Sequence, residues 1–171
     1  MPRNGLEGTQ NMIDNKPGSE FTKEREGFSE KVYTDTVGVP TIGHGFNLKA
    51  SKTKQVLNAL GFDVKKLLAG QQKMSREDAD KVFNVLYSNA KNEASMVYGD
   101  QAFQSAPESV QDIVTDMVYN MGAGAVSQFK PTLDLIKNGK YNEAADRLTK
   151  TKWYKQVGVR SKAIVKELRS L

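Results

Sequence analysis

Two acidic residues and one threonine stand at short spacings in the N-terminal third of the chain. Glu26, Asp35 and Thr41 follow the pattern Glu-x8-Asp-x5-Thr. A pair of carboxyl groups can divide general acid and general base chemistry when one is protonated and the other ionised. Each residue also has a structural interpretation: Glu26 as a solvated carboxylate at a helix end, Asp35 as a turn former and Thr41 as a β-branched strand residue. The spacing alone leaves both interpretations open.

The composition narrows the chemistry that the other residues can supply. The chain has no cysteine, which excludes disulfides, thiolate metal sites and cysteine nucleophiles. His44 is the only histidine, and zinc or non-haem iron sites usually need more than one imidazole. We therefore expect no metal and no cofactor. Between Gly43 and Gly45, His44 is most simply a loop residue or a supporting hydrogen bonder.

The net charge of +5 is unevenly distributed over the 171 residues. Residues 130–171 contain 11 Lys or Arg against 4 Asp or Glu, a net charge of +7, and residues 1–129 carry −2. A basic C-terminal third favours attachment to a polyanion, whether nucleic acid, anionic lipid or an anionic cell-wall polymer. No apolar run approaches the roughly 18 residues of a membrane span, and the N-terminus shows no secretory signal, so we expect neither.

The candidate residues have to be positioned by a small sheet and by helices. A short helix is predicted over Ser19–Glu26, and Lys31–Thr34 and Val39–Gly43 flank an Asp-x-x-Gly turn as a β-hairpin. After residue 50 the apolar period becomes helical, with short helices ending at Gly61 and Gly70. The longer helices are predicted from Ser75, whose spacing to Asp78 resembles a capping box, to Gly99, and at Pro107–Met121, Pro131–Ile136, Asn142–Leu148 and Arg160–Leu171.

These elements predict an α+β chain that is mainly helical. Residues 1–18 read as a tail or linker, and residues 19–74 as an N-terminal lobe with the β-hairpin and the active site. A helix over residues 75–98 is long enough to connect two lobes, and residues 99–171 form a helical C-terminal lobe.

The run from Glu26 to Gly43 resembles the active-site signature of the T-even phage lysozymes, glycoside hydrolase family 24. The matching residues are Glu26-Gly27, Tyr33, Asp35-Thr36, Gly38 and Thr41-Ile42-Gly43. Three later blocks resemble the same family in the same order: Ser75–Asn84, Met117–Gly122, and Lys152–Gln156 with Arg160. The resemblance covers about residues 20–171 and implies a two-lobed lysozyme-like fold with a small N-terminal sheet and a long interlobe helix.

The resemblance also implies an activity and roles for single residues. The activity is that of a muramidase, which hydrolyses the β-1,4 bond between N-acetylmuramic acid and N-acetylglucosamine in peptidoglycan with inversion. Glu26 would be the general acid, Asp35 the carboxylate that manages the attacking water, and Thr41 its hydroxyl partner. The supporting or substrate-binding positions would be Arg160 (paired with the catalytic glutamate), Tyr33, His44, Gly45, Tyr119 and Asn120.

One position departs from the family pattern. The family often has Thr-Ile-Gly-x-Gly-His, whereas here His44 occupies the x position and Phe46 stands where the histidine would be. We therefore expect the family's structural histidine to be absent or displaced, with His44 lining the cleft instead.

Two other functions stay open on the sequence. A lytic transglycosylase would cleave the same bond with Glu26 alone and form an anhydromuramic product, and a basic helical module would use the positive C-terminal third to bind nucleic acid.

We expect peptidoglycan rather than nucleic acid as the partner, no stable membrane insertion and a monomer. Without a signal peptide, the chain resembles an endolysin made in the host cytoplasm that acts on the cell wall or periplasm, or a domain delivered by a virion or effector.

Overall fold

The computed structural model describes residues 22–23 and 26–171, and the predicted tail at residues 1–18 lies outside them. Strands β1 (Ser29–Thr34), β2 (Pro40–Gly43) and β3 (Phe46–Asn47) form an antiparallel sheet in that order. Ten helices follow within residues 51–171: α1 (Ser51–Ala59), α2 (Val64–Leu68), α3 (Arg76–Tyr98), α4 (Asp100–Ser105), α5 (Glu108–Met121), α6 (Ala123–Ser127), α7 (Lys130–Lys137), α8 (Tyr141–Thr149), α9 (Lys152–Val157) and α10 (Val159–Arg169). The predicted α+β, mainly helical fold class is thereby confirmed.

The predicted hairpin is confirmed in β1 and β2. Tyr33 pairs with Thr41 across the ladder, and an irregularity between Ser29 and Tyr33 shifts the register. In the next pair, Ile42 lies opposite Phe46, and both side chains are buried. The sheet therefore has one face that is packed into the core, as expected for a small antiparallel sheet.

The long predicted helix is confirmed in α3. It begins after Ser75, whose hydroxyl accepts a hydrogen bond from the Asp78 N–H, and it ends at Gly99, where φ is 103°. Its 23 residues span about 35 Å at 1.5 Å per residue.

Helix α3 contributes to two hydrophobic clusters. Near its start, buried residues such as Phe83 pack with Ile42 of the sheet. Near its end, buried residues such as Ala94 and Tyr98 pack with helices α4 to α10. Tyr119 of α5 packs against both clusters, so it lies where the two meet. The residue boundaries of the predicted lobes stay a prediction.

Three short helices, α4, α6 and α9, were not expected from the sequence. They have 5 or 6 residues, and none repeats the i, i+3, i+4 apolar spacing of Val64, Leu67 and Leu68, which made the equally short α2 predictable. Several expected boundaries also differ by one or two residues; for example, Pro107 precedes α5 as its N-cap, and α10 ends at Arg169.

Candidate active site

A cleft of about 390 Å³ lies between the sheet, α3 and α5. It contains all three predicted catalytic residues, Glu26, Asp35 and Thr41. Its lining also includes most of the predicted supporting positions: Tyr33, Gly45, Tyr119, Asn120 and Arg160. The fold therefore gathers residues from β1, β2, α5 and α10 around one space, although they are distributed over the length of the chain.

Glu26 is a buried carboxyl group beside a cation. Its side chain is 3% exposed, and its Oε2 lies 2.7 Å from Nη2 of Arg160 on α10. Burial favours the neutral acid, whereas the guanidinium favours the carboxylate. The site therefore combines two opposing influences on the same carboxyl group.

Gly45 packs directly against the Glu26 carboxyl group. Its φ of 78° lies in the left-handed region, which favours glycine. A Cβ at this position would overlap Oε2 of Glu26. Only a residue without a side chain fits between the sheet and the buried acid.

Asp35 is held by the turn that joins β1 and β2. Its Oδ1 accepts hydrogen bonds from the N–H groups of Val37 (2.9 Å) and Val39 (2.8 Å). Because both bonds end on one oxygen, the lone pairs of Oδ2 are left for other groups among the described residues or for a ligand. The turn-forming and the chemical interpretations of Asp35 are therefore compatible.

Thr41 is 4% exposed and shares an anchor with Asp35. Its hydroxyl donates to the Val39 carbonyl oxygen at 2.9 Å, and Val39 N–H donates to Asp35. The hydroxyl has a single proton, so this bond leaves its oxygen as an acceptor toward the cleft. A water molecule that donates to Thr41 and to Asp35 would find both acceptors held in place, because each is hydrogen-bonded to the backbone of Val39.

Two tyrosines in the lining respond to the charges of this site. Burial raises the pKa of Tyr33, the negative charge of Glu26 raises it further, and Arg160 opposes the rise. Burial, followed by Glu26, also raises the pKa of Tyr119 far above its usual range, again with Arg160 opposing. Both phenols are therefore neutral hydrogen-bond donors at physiological pH.

Asn120 lines the cleft and is tied to its own helix. Its Nδ2 donates to the Asp116 carbonyl oxygen at 2.9 Å, while its buried Oδ1 has no hydrogen-bond partner among the described residues. An unpaired buried amide oxygen costs about 1–3 kcal/mol.

His44 does not line the cleft, which corrects the expectation drawn from its position in the motif. Its ring is 2% exposed and is hydrogen-bonded to the Gly27 carbonyl oxygen and to Asp80 on α3. The ring packs against Phe46 and Phe83, which belong to the apolar cluster. The next residue, Gly45, is the one that contacts the Glu26 carboxyl group. The plainer role as a supporting hydrogen bonder describes it correctly.

Sequence reasoning missed the wall that α1 and α3 contribute. Lys52 and Glu93 form an ion pair in the lining, together with Asn89. A second, shallower cavity shares these three residues and continues the groove toward Gln55 and Asn92. Nothing in the apolar period distinguishes these polar side chains from an ordinary solvated helix face.

The described residues show neither a membrane-spanning helix nor a cluster of metal ligands. Within residues 22–23 and 26–171, no helix is long and apolar enough to cross a membrane. In the same part of the chain, no group of three or more His, Cys, Asp or Glu side chains is placed to hold a metal ion.

The fold and the site define a lysozyme-like glycoside hydrolase, and comparison with known proteins gives the family. The sequence model described as "Phage lysozyme" matches residues 23–169, and the chain belongs to that family.

Curated relatives with a lysozyme name come from Dictyostelium discoideum. The chain is 27% identical to "Probable T4-type lysozyme 2" over 155 residues, covering 85% of this chain and 89% of that protein. It is 26% identical to "Probable T4-type lysozyme 1" over 156 residues, with the same coverage of 85% and 89%.

A third relative is much longer than this chain. The chain is 25% identical to the pre-baseplate central spike protein Gp5 of Enterobacteria phage T4 over 151 residues, which cover 85% of this chain and 26% of that protein. The similarity therefore spans nearly the whole of this chain but about a quarter of Gp5.

Proposed function

We propose that this chain hydrolyses the β-1,4 bond between N-acetylmuramic acid and N-acetylglucosamine in bacterial peptidoglycan. The observation that carries the proposal is the placement of two differently held carboxyl groups in one cleft. Glu26 is buried beside Arg160, whereas Asp35 accepts two backbone hydrogen bonds in a turn. Glycoside hydrolysis needs such a pair, one group protonated and one ionised.

In the proposed reaction, Glu26 gives its proton to the glycosidic oxygen as the bond from that oxygen to the anomeric carbon breaks. A water held by Asp35 and Thr41 attacks the anomeric carbon from the opposite face and gives its second proton to Asp35. The products are two sugar ends that together have gained one water. Attack from the opposite face inverts the anomeric configuration, which NMR of the fresh product reads directly.

The shape and charge of the protein suit a long anionic substrate. The groove continues from the carboxyl pair along α1 and α3, which fits a polymer better than a small sugar. The net charge of +7 on residues 130–171 attracts the carboxylates of the peptidoglycan peptides and attached polyanions. We propose the bacterial cell wall as the site of action, for wall lysis in the manner of an endolysin or of a delivered lytic domain.

The decisive variant is Glu26→Gln. We expect it to lose about 10²–10⁴-fold in the rate of murein solubilisation, because the amide has no proton to give at the leaving oxygen. Glu30→Gln, on the exposed surface of β1, is the matched control and should keep full activity. A fully active Glu26→Gln protein with native circular dichroism would refute the assigned role.

The transglycosylase alternative is separated by the product. Mass spectrometry of released muropeptides shows a gain of water for hydrolysis and anhydromuramic ends for transglycosylation. We favour hydrolysis because a transglycosylase needs no group to hold a water. Asp35 is fixed by two backbone hydrogen bonds, and Thr41 is bonded to the same residue, Val39, as Asp35.

A further inference from the structure

The sole histidine of the chain connects the segment of the catalytic acid to the long helix. His44 Nδ1 lies 2.6 Å from the Gly27 carbonyl oxygen, and Nε2 lies 2.7 Å from Oδ1 of Asp80 on α3. Both contacts are short, and the ring is 2% exposed. Neither contact belongs to the chemistry described above.

The two hydrogen-bond partners of the ring lie in different parts of the fold. A carbonyl oxygen can only accept, so Nδ1 donates to Gly27. Burial opposes ionisation of Asp80, but the hydrogen bond from His44 and the charge of Lys23, 3.5 Å away, outweigh it and lower the pKa of this carboxyl group. The ring therefore bridges the backbone after Glu26 and a carboxyl group of α3.

Three phenylalanine rings pack around the imidazole. Phe28, Phe46 and Phe83 lie with their ring centroids 5.5, 6.1 and 6.2 Å from that of His44. This packing fixes the plane of the imidazole, so the two hydrogen bonds act along a defined direction. Asp80, on a helix of 23 residues, is the fixed end of the link.

The other end of the link reaches Glu26 by two routes. Gly27, whose carbonyl accepts from His44, is the residue directly after Glu26. Gly45, which packs against the Glu26 carboxyl group, is the residue directly after His44. A shift of the imidazole would thus move both the backbone that follows the acid and the surface against which the acid rests.

We propose that His44, hydrogen-bonded between Asp80 and the Gly27 carbonyl, is a positioning residue that holds the catalytic acid Glu26 in place against α3. The proposal rests on the proposed role of Glu26 as general acid. It predicts a loss of kcat rather than of substrate binding, because small displacements of a catalytic group act mainly on the chemical step.

The link can be tested without any activity. Because the chain has one histidine, protein labelled with ¹⁵N-histidine gives a single imidazole in the NMR spectrum. We expect the ring nitrogen shifts to change in Asp80→Asn, because the partner of Nε2 is altered, and to stay the same in Glu77→Gln. Ring shifts that do not respond to Asp80→Asn would overturn the proposal.

The positioning role is tested by kinetics on soluble peptidoglycan fragments. His44→Phe preserves the apolar packing but removes both donors, and Asp80→Asn is a milder variant in case the first folds poorly. We expect kcat to fall about 10–100-fold in His44→Phe, with KM changed less than about two-fold.

Two controls separate positioning from stability and charge. Leu67→Ala opens a cavity in the same hydrophobic cluster without touching the link, and it should keep its kcat below its melting temperature. Glu77→Gln removes an exposed carboxylate from the same helix as Asp80 and should be neutral. Unchanged kcat in folded His44→Phe would refute the positioning role, whereas an inactive unaltered protein would refute the proposed function instead.

Discussion

Arg160 Nη2 lies 2.7 Å from Glu26 Oε2, which joins the last helix of the chain to the carboxyl group at the start of the described structure. The two side chains differ greatly in burial: Glu26 is 3% exposed and Arg160 is 41% exposed. The guanidinium group therefore extends from the solvent to a carboxyl group that is shielded from the solvent. The pair closes the cleft on the side of α10 and gives the acid a defined orientation.

Removal of the cation should destabilise the protein. In Arg160→Ala the Glu26 carboxyl group would stay buried without its guanidinium, and because Arg160 is itself 41% exposed we expect a cost of about 1–3 kcal/mol of unfolding free energy. Chemical denaturation measures the difference. Arg169→Ala is the control, because it breaks an exposed pair with Asp146 and should cost less than about 1 kcal/mol. An equal loss for both variants would contradict the prediction.

Gly45→Ala should abolish activity by displacing the acid. The new methyl group would overlap the Glu26 carboxyl group, and we expect at least about a 100-fold loss of kcat from misplacement. Gly61→Ala and Gly70→Ala are matched controls, with φ of 91° and 72° and no atom within 4 Å of the added Cβ. They suffer the same backbone strain of about 1 kcal/mol. Normal activity in Gly45→Ala would show that the contact has no role.

Two substitutions of Asp35 should separate its role in the turn from its role in hydrolysis. Asp35→Asn keeps an amide oxygen for the Val37 and Val39 N–H groups, so its stability should be close to that of the unaltered protein. Asp35→Ala loses both bonds and should be destabilised by about 1–3 kcal/mol. Both variants should lose about 10²–10⁴-fold in hydrolysis, because neither can take a proton from water. Retained activity with anhydromuramic products would instead identify a transglycosylase.

Asp112 on α5 should make the protein less stable at neutral than at mildly acid pH. Burial, together with the negative charge of Glu108, raises its pKa to about 6, with Lys91 opposing. The folded state therefore binds the proton more tightly than the unfolded chain, and stability is lost as pH rises from about 4 through 6. Asp112→Asn should gain about 1–2 kcal/mol at pH 7.5 and nothing at pH 3. The exposed Asp134→Asn is the control, and a gain that does not depend on pH would contradict the assignment.

Much of the local structure could be predicted because its causes lie within a few residues. The hydroxyl of Ser75 caps α3 through Asp78, three residues later, and Gly99 ends the same helix. The Asp35 turn is closed by Val37 and Val39. The short helices α4, α6 and α9 could not be recognised, since their apolar residues do not follow the i, i+3, i+4 spacing that marks a helix face.

The site could be predicted only as far as the family resemblance names its residues. The resemblance named Glu26, Asp35, Thr41 and Arg160, and the structure brings all four to one cleft. It gave His44 the wrong surroundings, because the position of a residue in a motif does not fix whether its ring points to the cleft or to the core. No pattern in the sequence indicated Asp80 as its partner, 36 residues away.

The sequence by itself determined the elements, the helix ends and the chemistry available: carboxyl groups and hydroxyls, one imidazole and no thiols. Only the tertiary structure decided which of these groups meet. It placed Arg160 on Glu26, Asp80 on His44 and Glu93 on Lys52. The physical reason is that capping and turn formation act over a few residues, whereas these pairs depend on how distant helices pack against one another and on which side chains that packing removes from water.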